Sequence, residues 1–234
     1  WDNPRAKSKI FYISDEQIFY PNTTAEKMAE IYKVYYPDFD QRRFRKFLLR
    51  FGLEGERKVQ TYSKGMKKQL SLLLGLCSNV SYLLCDETFD GLDPVMRQGI
   101  KGIFAREIDE KGLTPVTASH NLRELEDICD HIGLLHKGGV LLSRDLGDLK
   151  LNLHKIQCVL PEEAEEHLRE SLEILTMNRR GKLLTLTVRG SEEDILKRIG
   201  ELKPVFMEVL PLSLEEIFIS ETEVVGYDIK NIIF

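Results

Sequence analysis

The sequence has no closely spaced cysteine pair, no apolar run long enough to cross a bilayer and no excess of basic charge. Each absence removes a class of protein. Its four cysteines, Cys77, Cys85, Cys129 and Cys158, lie far apart with no CxxC among them. That excludes a disulfide framework and a cysteine-rich metal site, and buried free thiols in a reducing compartment are expected. The longest apolar stretch, 70–84, is broken by Ser78, Asn79 and Ser81, and falls short of the roughly 20 residues a membrane helix needs. Residues 1–148 hold 22 basic and 22 acidic side chains, so the net charge of −5 is carried by the residues that follow. A neutral body with an acidic end offers no basic footprint, so no nucleic-acid partner is expected.

What is present is a regular alternation of patterns. "IFYIS" at 10–14 reads as a short strand that gives way to the polar Asp15-Glu16-Gln17. Met28, Ile31, Tyr32 and Tyr35 recur at helical spacing before a break at Pro37. Phe44, Phe47, Leu48 and Phe51 form the face of a second helix ended by Gly52. Met66, Leu70, Leu73, Leu74 and Cys77 make the apolar stripe of a third, which opens at Ser63 with Gly65 and three lysines close by. "VSYLLC" (80–85) suits a strand buried on both faces and runs into Asp86-Glu87, and "TPVTAS" (114–119) runs into His120. Between them Pro94 opens a helix with Met96, Ile100, Ile103, Phe104 and Ile108 inward, closed by Gly112. A helix over 121–130 and the strand "HIGLLH" follow. This order predicts an α/β fold with a mostly parallel sheet and a helical insert over about 18–78.

Near residue 150 the order changes to strand 155–160, helix 162–172, strand 173–178, strand 182–189, helix 191–202, strand 204–210. That is the β-α-β-β-α-β arrangement of a small ferredoxin-like α+β domain. Its strands "KIQCVL" and "KLLTLTVRG" contain no aromatic residue on which RNA bases could stack. A last helix begins at Ser213 with the capping box Ser-Leu-Glu-Glu. The expected division is therefore 1–149, 150–222 and a C-terminal tail, 223–234.

Ligands of open parallel sheets bind beyond the carboxyl ends of the strands. Three such ends carry Asp15-Glu16-Gln17, Asp86-Glu87 and His120. Taken singly, an acidic pair after a strand is a turn or a cap, and a lone histidine is structural. At successive strand ends they form a set. A carboxylate at Asp86 suits Mg2+, the adjacent Glu87 could orient or deprotonate a water, and His120 could complete a pocket around a transferred phosphoryl group. Cys129, His131 and His136, by contrast, lack the spacing of a metal site.

The motifs themselves are specific. "YLLCDETFDGLDP" resembles the Walker B strand and D-loop of ATP-binding cassette (ABC) proteins. "YSKGMKKQLSL" resembles a variant of their LSGGQ signature, and "TASHNLRELEDICDHIGLLHKGGV" resembles their switch-histidine segment. Order and spacing match from residue 10 to about 150, and "SLEEIFISETE" resembles the end of appendages on ATPase subunits of bacterial ABC-2-type transporters.

The resemblance implies a P-loop NTPase-like fold and an ATPase that uses ATP and Mg2+. By it, Asp86 holds Mg2+ through water, Glu87 is the catalytic base and His120 contacts the γ-phosphate. Asp93 communicates across a dimer interface, and Ser63, Lys64 and Gly65 receive the γ-phosphate of a nucleotide held by the opposing subunit. Asp15 stands where a glutamine usually reaches the metal, with Glu16 or Gln17 as alternatives. Tyr62, Lys64 and Met66 stand where Leu, Gly and Gln are usual. The resemblance also implies a homo- or heterodimer of ATPase subunits, an integral-membrane exporter subunit as partner, and a place on the cytoplasmic face of the cell membrane. Some of Phe19, Tyr20, Tyr35, Tyr36 and Phe39 are expected to form an exposed patch for that partner. Two other readings are a soluble ABC ATPase acting on ribosomes or DNA, and a catalytically silent fragment. No G-x-x-x-x-G-K-S/T occurs in the chain, and Gly181-Lys182 reads as a hairpin turn. In the resembling family that Walker A loop precedes the Asp15 segment. An N-terminal piece upstream of Trp1, and weak ATP binding by these residues alone, are therefore expected.

Overall fold

A computed structural model describes residues 3–89, 92–136 and 138–224, so the expected C-terminal tail lies outside the described residues from 225 onward. Packing divides the chain into two compact units between Asn121 and Leu122.

The first unit is built on a parallel sheet of β1 (Ile10–Ile13), β2 (Tyr82–Asp86) and β3 (Thr114–Ala118), in that order. Ile13 pairs with Cys85 and Cys85 with Thr117, so all three strands end at one level. Phe11, Ile13, Leu83 and Cys85 are buried on one face. The other face is open, with Tyr12 58%, Tyr82 47% and Val116 51% exposed. The expectation of a strand buried on both faces therefore holds for only one, because β2 alternates rather than being apolar-packed throughout.

Helices pack against the buried face. After α1 (Pro4–Lys7) and β1 come α2 (Ala25–Tyr35) and α3 (Gln41–Arg50), capped by Thr24 and Asp40. Phe44, Phe47 and Leu48 are buried as the periodicity predicts, and Gly52 turns the chain at φ +65°. Then α4 (Lys64–Cys77) buries Leu70, Leu73, Leu74 and Cys77 completely. Gly75 is what lets it lie so close to the sheet. A Cβ there would stand 2.8 Å from Leu83 Cδ1 and 3.1 Å from Phe11 Cδ1, both in buried side chains.

α5 (Pro94–Lys111) starts at the cap Asp93 and ends at Gly112, φ +64°. Ile100 and Phe104 point inward, whereas Ile108 is 45% exposed and lies off the packed stripe. Arg43 of α3 pairs with Glu107 of α5 through both terminal guanidinium nitrogens, one at 2.9 Å, and donates to the Leu76 carbonyl at 3.1 Å. A buried carboxylate needs such a partner.

The second unit opens with α6 (Leu122–Glu126) and an antiparallel hairpin of β4 (His131–His136) and β5 (Gly139–Asp145). "HIGLLH" is a strand as expected, and it pairs antiparallel with the strand that follows it. The Gly138-Gly139 pair explains this, since Gly138 adopts φ +80°, which tight hairpin turns require. After α7 (Leu146–Asn152) come β6 (Leu153–Val159), α8 (Ala164–Ser171), β7 (Glu173–Arg180), β8 (Leu183–Arg189), α9 (Glu192–Glu201) and β9 (Phe206–Leu210). The sheet order is β7-β8-β6-β9 with every pair antiparallel, which is the ferredoxin-like arrangement. Ile156, Cys158, Leu184, Leu186 and Val188 from the sheet pack with Leu168, Ile195 and Ile199 from its helices. α10 (Leu214–Val224) begins with the expected capping box: Ser213 N–H donates to Glu216 Oε2 at 3.1 Å, and Glu216 N–H to Ser213 Oγ at 3.3 Å. Glu126 of α6 accepts from Lys150 Nζ at 2.7 Å and from Leu214 N–H at 3.1 Å. Those bonds hold its carboxyl below the usual range against the opposing effect of burial.

Candidate functional site

The aligned strand ends bring Asp86, Glu87 and His120 together. Asp86 closes β2 and its Oδ2 accepts from Tyr12 Oη at 3.1 Å across the β1–β2 pair. That hydrogen bond to the carboxylate pushes the Tyr12 phenol above its ordinary value. Glu87 follows with φ +46°, a left-handed backbone that costs a non-glycine residue on the order of 1–3 kcal/mol. Its N–H donates to Ala118 O at 2.9 Å, so the turn after β2 is tied to the end of β3.

The turn aims the Glu87 carboxylate at the next strand's exit. Oε1 accepts from the His120 N–H at 3.1 Å and lies 2.8 Å from His120 Nδ1. A carboxylate only accepts, so Nδ1 carries the hydrogen in this pair. Ser119 Oγ lies 3.5 Å from Oε2. The Glu87 side chain is 24% exposed, so it reaches solvent while its carboxylate is held by three groups, the His120 N–H, His120 Nδ1 and Ser119 Oγ.

Asp15, at the exit of β1, is drawn in differently. Its Oδ1 lies 3.2 Å from Lys68 Nζ, and the same ammonium donates to the Glu87 main-chain oxygen at 2.6 Å. Ser71, one turn further along α4, bonds Gln17 Oε1, and Gln17 Nε2 bonds Ser14 O. The loop after β1 is thus pinned to α4 at two points.

Ser63, Lys64 and Gly65 lie at the start of α4, Ser63 and Lys64 exposed. Ser63 Oγ accepts from Met66 N–H at 3.2 Å, so its hydroxyl caps its own helix. The preceding Tyr62 is buried and donates to Glu54 O at 2.6 Å, which fixes the entry to that helix. Asp93 is exposed and caps α5 through Met96 N–H at 2.9 Å. The quoted D-loop also contains Asp90 and Gly91, which lie outside the described residues.

Sequence reasoning missed Tyr12, Lys68 and Ser119. Lys68 had a signal: it stands at i, i+4 and i+7 with Leu72 and Gly75, the face of α4 that meets the sheet. Of the aromatic run, Tyr20 (54%) and Tyr35 (62%) are exposed and Phe39 is buried. Tyr20, Tyr32, Tyr35 and Tyr36 with Lys7 and Ile31 line a cavity of about 440 Å3.

No protein-family model matches the chain. It is 30% identical over 219 residues to the ABC transporter ATP-binding protein YtrB of Bacillus subtilis (strain 168), covering 94% of this chain and 75% of YtrB. It is 31% identical over 144 residues to the bacitracin transport ATP-binding protein BcrA of Enterococcus faecalis, covering 61% of this chain and 47% of BcrA. The chain thus spans about half the length of that second relative. A solved ATP-binding subunit of an ABC transporter superposes with a TM-score of 0.58 at 22% identity over 63% of each chain, which shows a shared fold. With strand ends, signature and switch segment in the family's order, and 94% of this chain aligned to three quarters of YtrB, the chain belongs to the ABC transporter ATP-binding proteins, a family of ATPases.

Proposed function

We propose that this chain hydrolyses ATP as one subunit of a dimer and drives a membrane exporter from the cytoplasmic face. The observation that carries the reading is the Glu87–His120 pair beside Asp86 at adjacent strand ends. Among the described residues no three His, Cys, Asp or Glu side chains form a metal cage. Mg2+ in phosphate enzymes is held by one or two carboxylates together with substrate oxygens, so the donor set around Asp86 fits it. Asp86 would hold the metal, and the chemistry the metal would supply is positive charge to offset the charge that develops on the phosphate.

The residues of the chain do the rest. Glu87 takes a proton from the attacking water, while His120 and the turn hold its carboxylate in one orientation. His120 also contacts the γ-phosphate. Ser63, Lys64 and Gly65 present the N-terminal turn of α4, where unpaired N–H groups and the helix dipole favour an anion, and Lys64 adds its charge. That phosphate belongs to the opposing subunit's nucleotide. Asp93, exposed at the start of α5, lies at the same dimer interface.

Tyr20 and Tyr35 and the cavity beside them supply the surface for a membrane subunit; Phe39, in the core, does not. Among the described residues no helix is long and apolar enough to cross a membrane. Relatives named for bacitracin and lantibiotic transport support export. The test is ATP turnover by the full-length protein, purified with its membrane partner, as Mg2+ is titrated. Saturable Mg2+-dependent turnover that Asp86→Asn abolishes supports the reading; turnover indifferent to Asp86→Asn rejects it.

A further inference from the structure

Lys68 is the one charged residue of α4 that the fold takes fully inside, with its side chain 1% exposed. A buried ammonium is tolerated only when its donors are matched. Here two of its three donors are met by the loops after adjacent strands: Asp15 Oδ1 after β1 at 3.2 Å and the Glu87 carbonyl after β2 at 2.6 Å. The Glu87 carbonyl belongs to the residue with left-handed φ, so the lysine grips the turn at its strained point. Lys68 stands five residues after Ser63 on the same rigid helix, about 7.5 Å along its axis at 1.5 Å per residue.

We propose that Lys68 is a positioning residue for hydrolysis: it fixes the turn that aims Glu87 at His120, and joins that turn and Asp15 to the helix that begins at Ser63. The inference rests on Glu87 acting as the base. A movement of α4 that follows phosphate binding at its N-terminus is passed through Lys68 to the main chain of Glu87. The Lys68 charge also faces the Asp15 carboxylate, which stands where the family's pattern has a neutral amide.

Amide hydrogen exchange on the full chain tests this without nucleotide. The His120 N–H is bonded to the Glu87 carboxylate and the Glu87 N–H to Ala118 O, so both report the turn. In Lys68→Met both exchange at least ~10-fold faster while amides of α3 and of the second unit stay within about twofold. Ser71→Ala, which removes only the grip on Gln17, leaves both amides at their original rates. Unchanged His120 and Glu87 rates in a folded Lys68→Met protein overturn the proposal. Should that variant not fold, the wild-type chain decides. A nitrogen-resolved signal of the Lys68 ammonium protons, slowed in exchange with water, is expected, and its absence overturns the proposal. ATP turnover separates the two claims: Lys68→Met lowers kcat by at least ~10-fold with KM within about threefold. A full-length wild-type protein, purified with its membrane partner, that shows no turnover rejects the proposed hydrolysis and leaves the structural link to be judged by exchange.

Discussion

His120 Nδ1 and Glu87 Oε1 meet 2.8 Å apart although 33 residues separate them in sequence. The contact exists because β2 and β3 are adjacent and in register, so that Glu87, directly after β2, and His120, two residues after β3, emerge at the same edge. His120→Ala removes the ring contact but keeps the main-chain N–H bond to the same oxygen. It is expected to reduce kcat for ATP by on the order of 10²-fold, the lower range for a disturbed acid–base group. Steady-state phosphate release across ATP concentrations measures it.

The close approach of α4 to the sheet predicts a steric penalty at Gly75. Gly75→Ala places a methyl group against Leu83 and Phe11 and is expected to cost roughly 1–3 kcal/mol of stability by overpacking. Gly99→Ala, where nothing lies within 4 Å, serves as the control and gains from higher helix propensity. Urea unfolding midpoints of the two variants are expected to move in opposite directions.

Arg43 and Glu107 predict a large, asymmetric effect. Arg43→Ala leaves a carboxylate only 5% exposed with Lys111, at 3.2 Å, as its remaining cation, and is expected to cost roughly 3–5 kcal/mol. The double variant Arg43→Met with Glu107→Leu removes both charges and recovers most of that loss. Chemical denaturation of the single and double variants checks it.

Burial pushes the Cys77 and Cys85 thiols up to about 12 from 9.0. Reaction with a thiol reagent at pH 8 is therefore expected to spare both in the folded protein and to reach all four cysteines in denaturant. The linkage has a definite sign. Between pH 9 and 12 only the unfolded chain releases these protons, so stability is full below pH 9 and declines as pH rises, by up to about 1.4 kcal/mol per unit for each thiol. Unfolding midpoints measured from pH 7 to 11 read the decline.

Much of the fold was legible because its signals are periodic. The α4 stripe, the three strand exits and the β-α-β-β-α-β order of the second unit follow from spacing alone. The β4–β5 hairpin did not, because an apolar strand looks the same in either orientation; Gly138-Gly139 was the only sign of the turn. Ile108 fits the helical period yet lies off the packed face, since period does not say how far along a helix its partners extend. In the site, Asp86, Glu87 and His120 were readable from their place after strands. Lys68 was not, because a lysine on an amphipathic helix is ordinarily solvated, and only its register with Leu72 and Gly75 marked it as buried. Tyr12 was hidden for a related reason: its role depends on which strand lies beside β1.

The central claim is that Glu87 activates the water. Glu87→Gln keeps the side chain's shape and an oxygen that can accept from His120, but removes the base. Phosphate release by the full-length protein with saturating ATP and Mg2+ is expected to fall by roughly 10²–10⁴-fold in this variant while ATP still binds. Equal rates for Glu87→Gln and wild type would contradict the account.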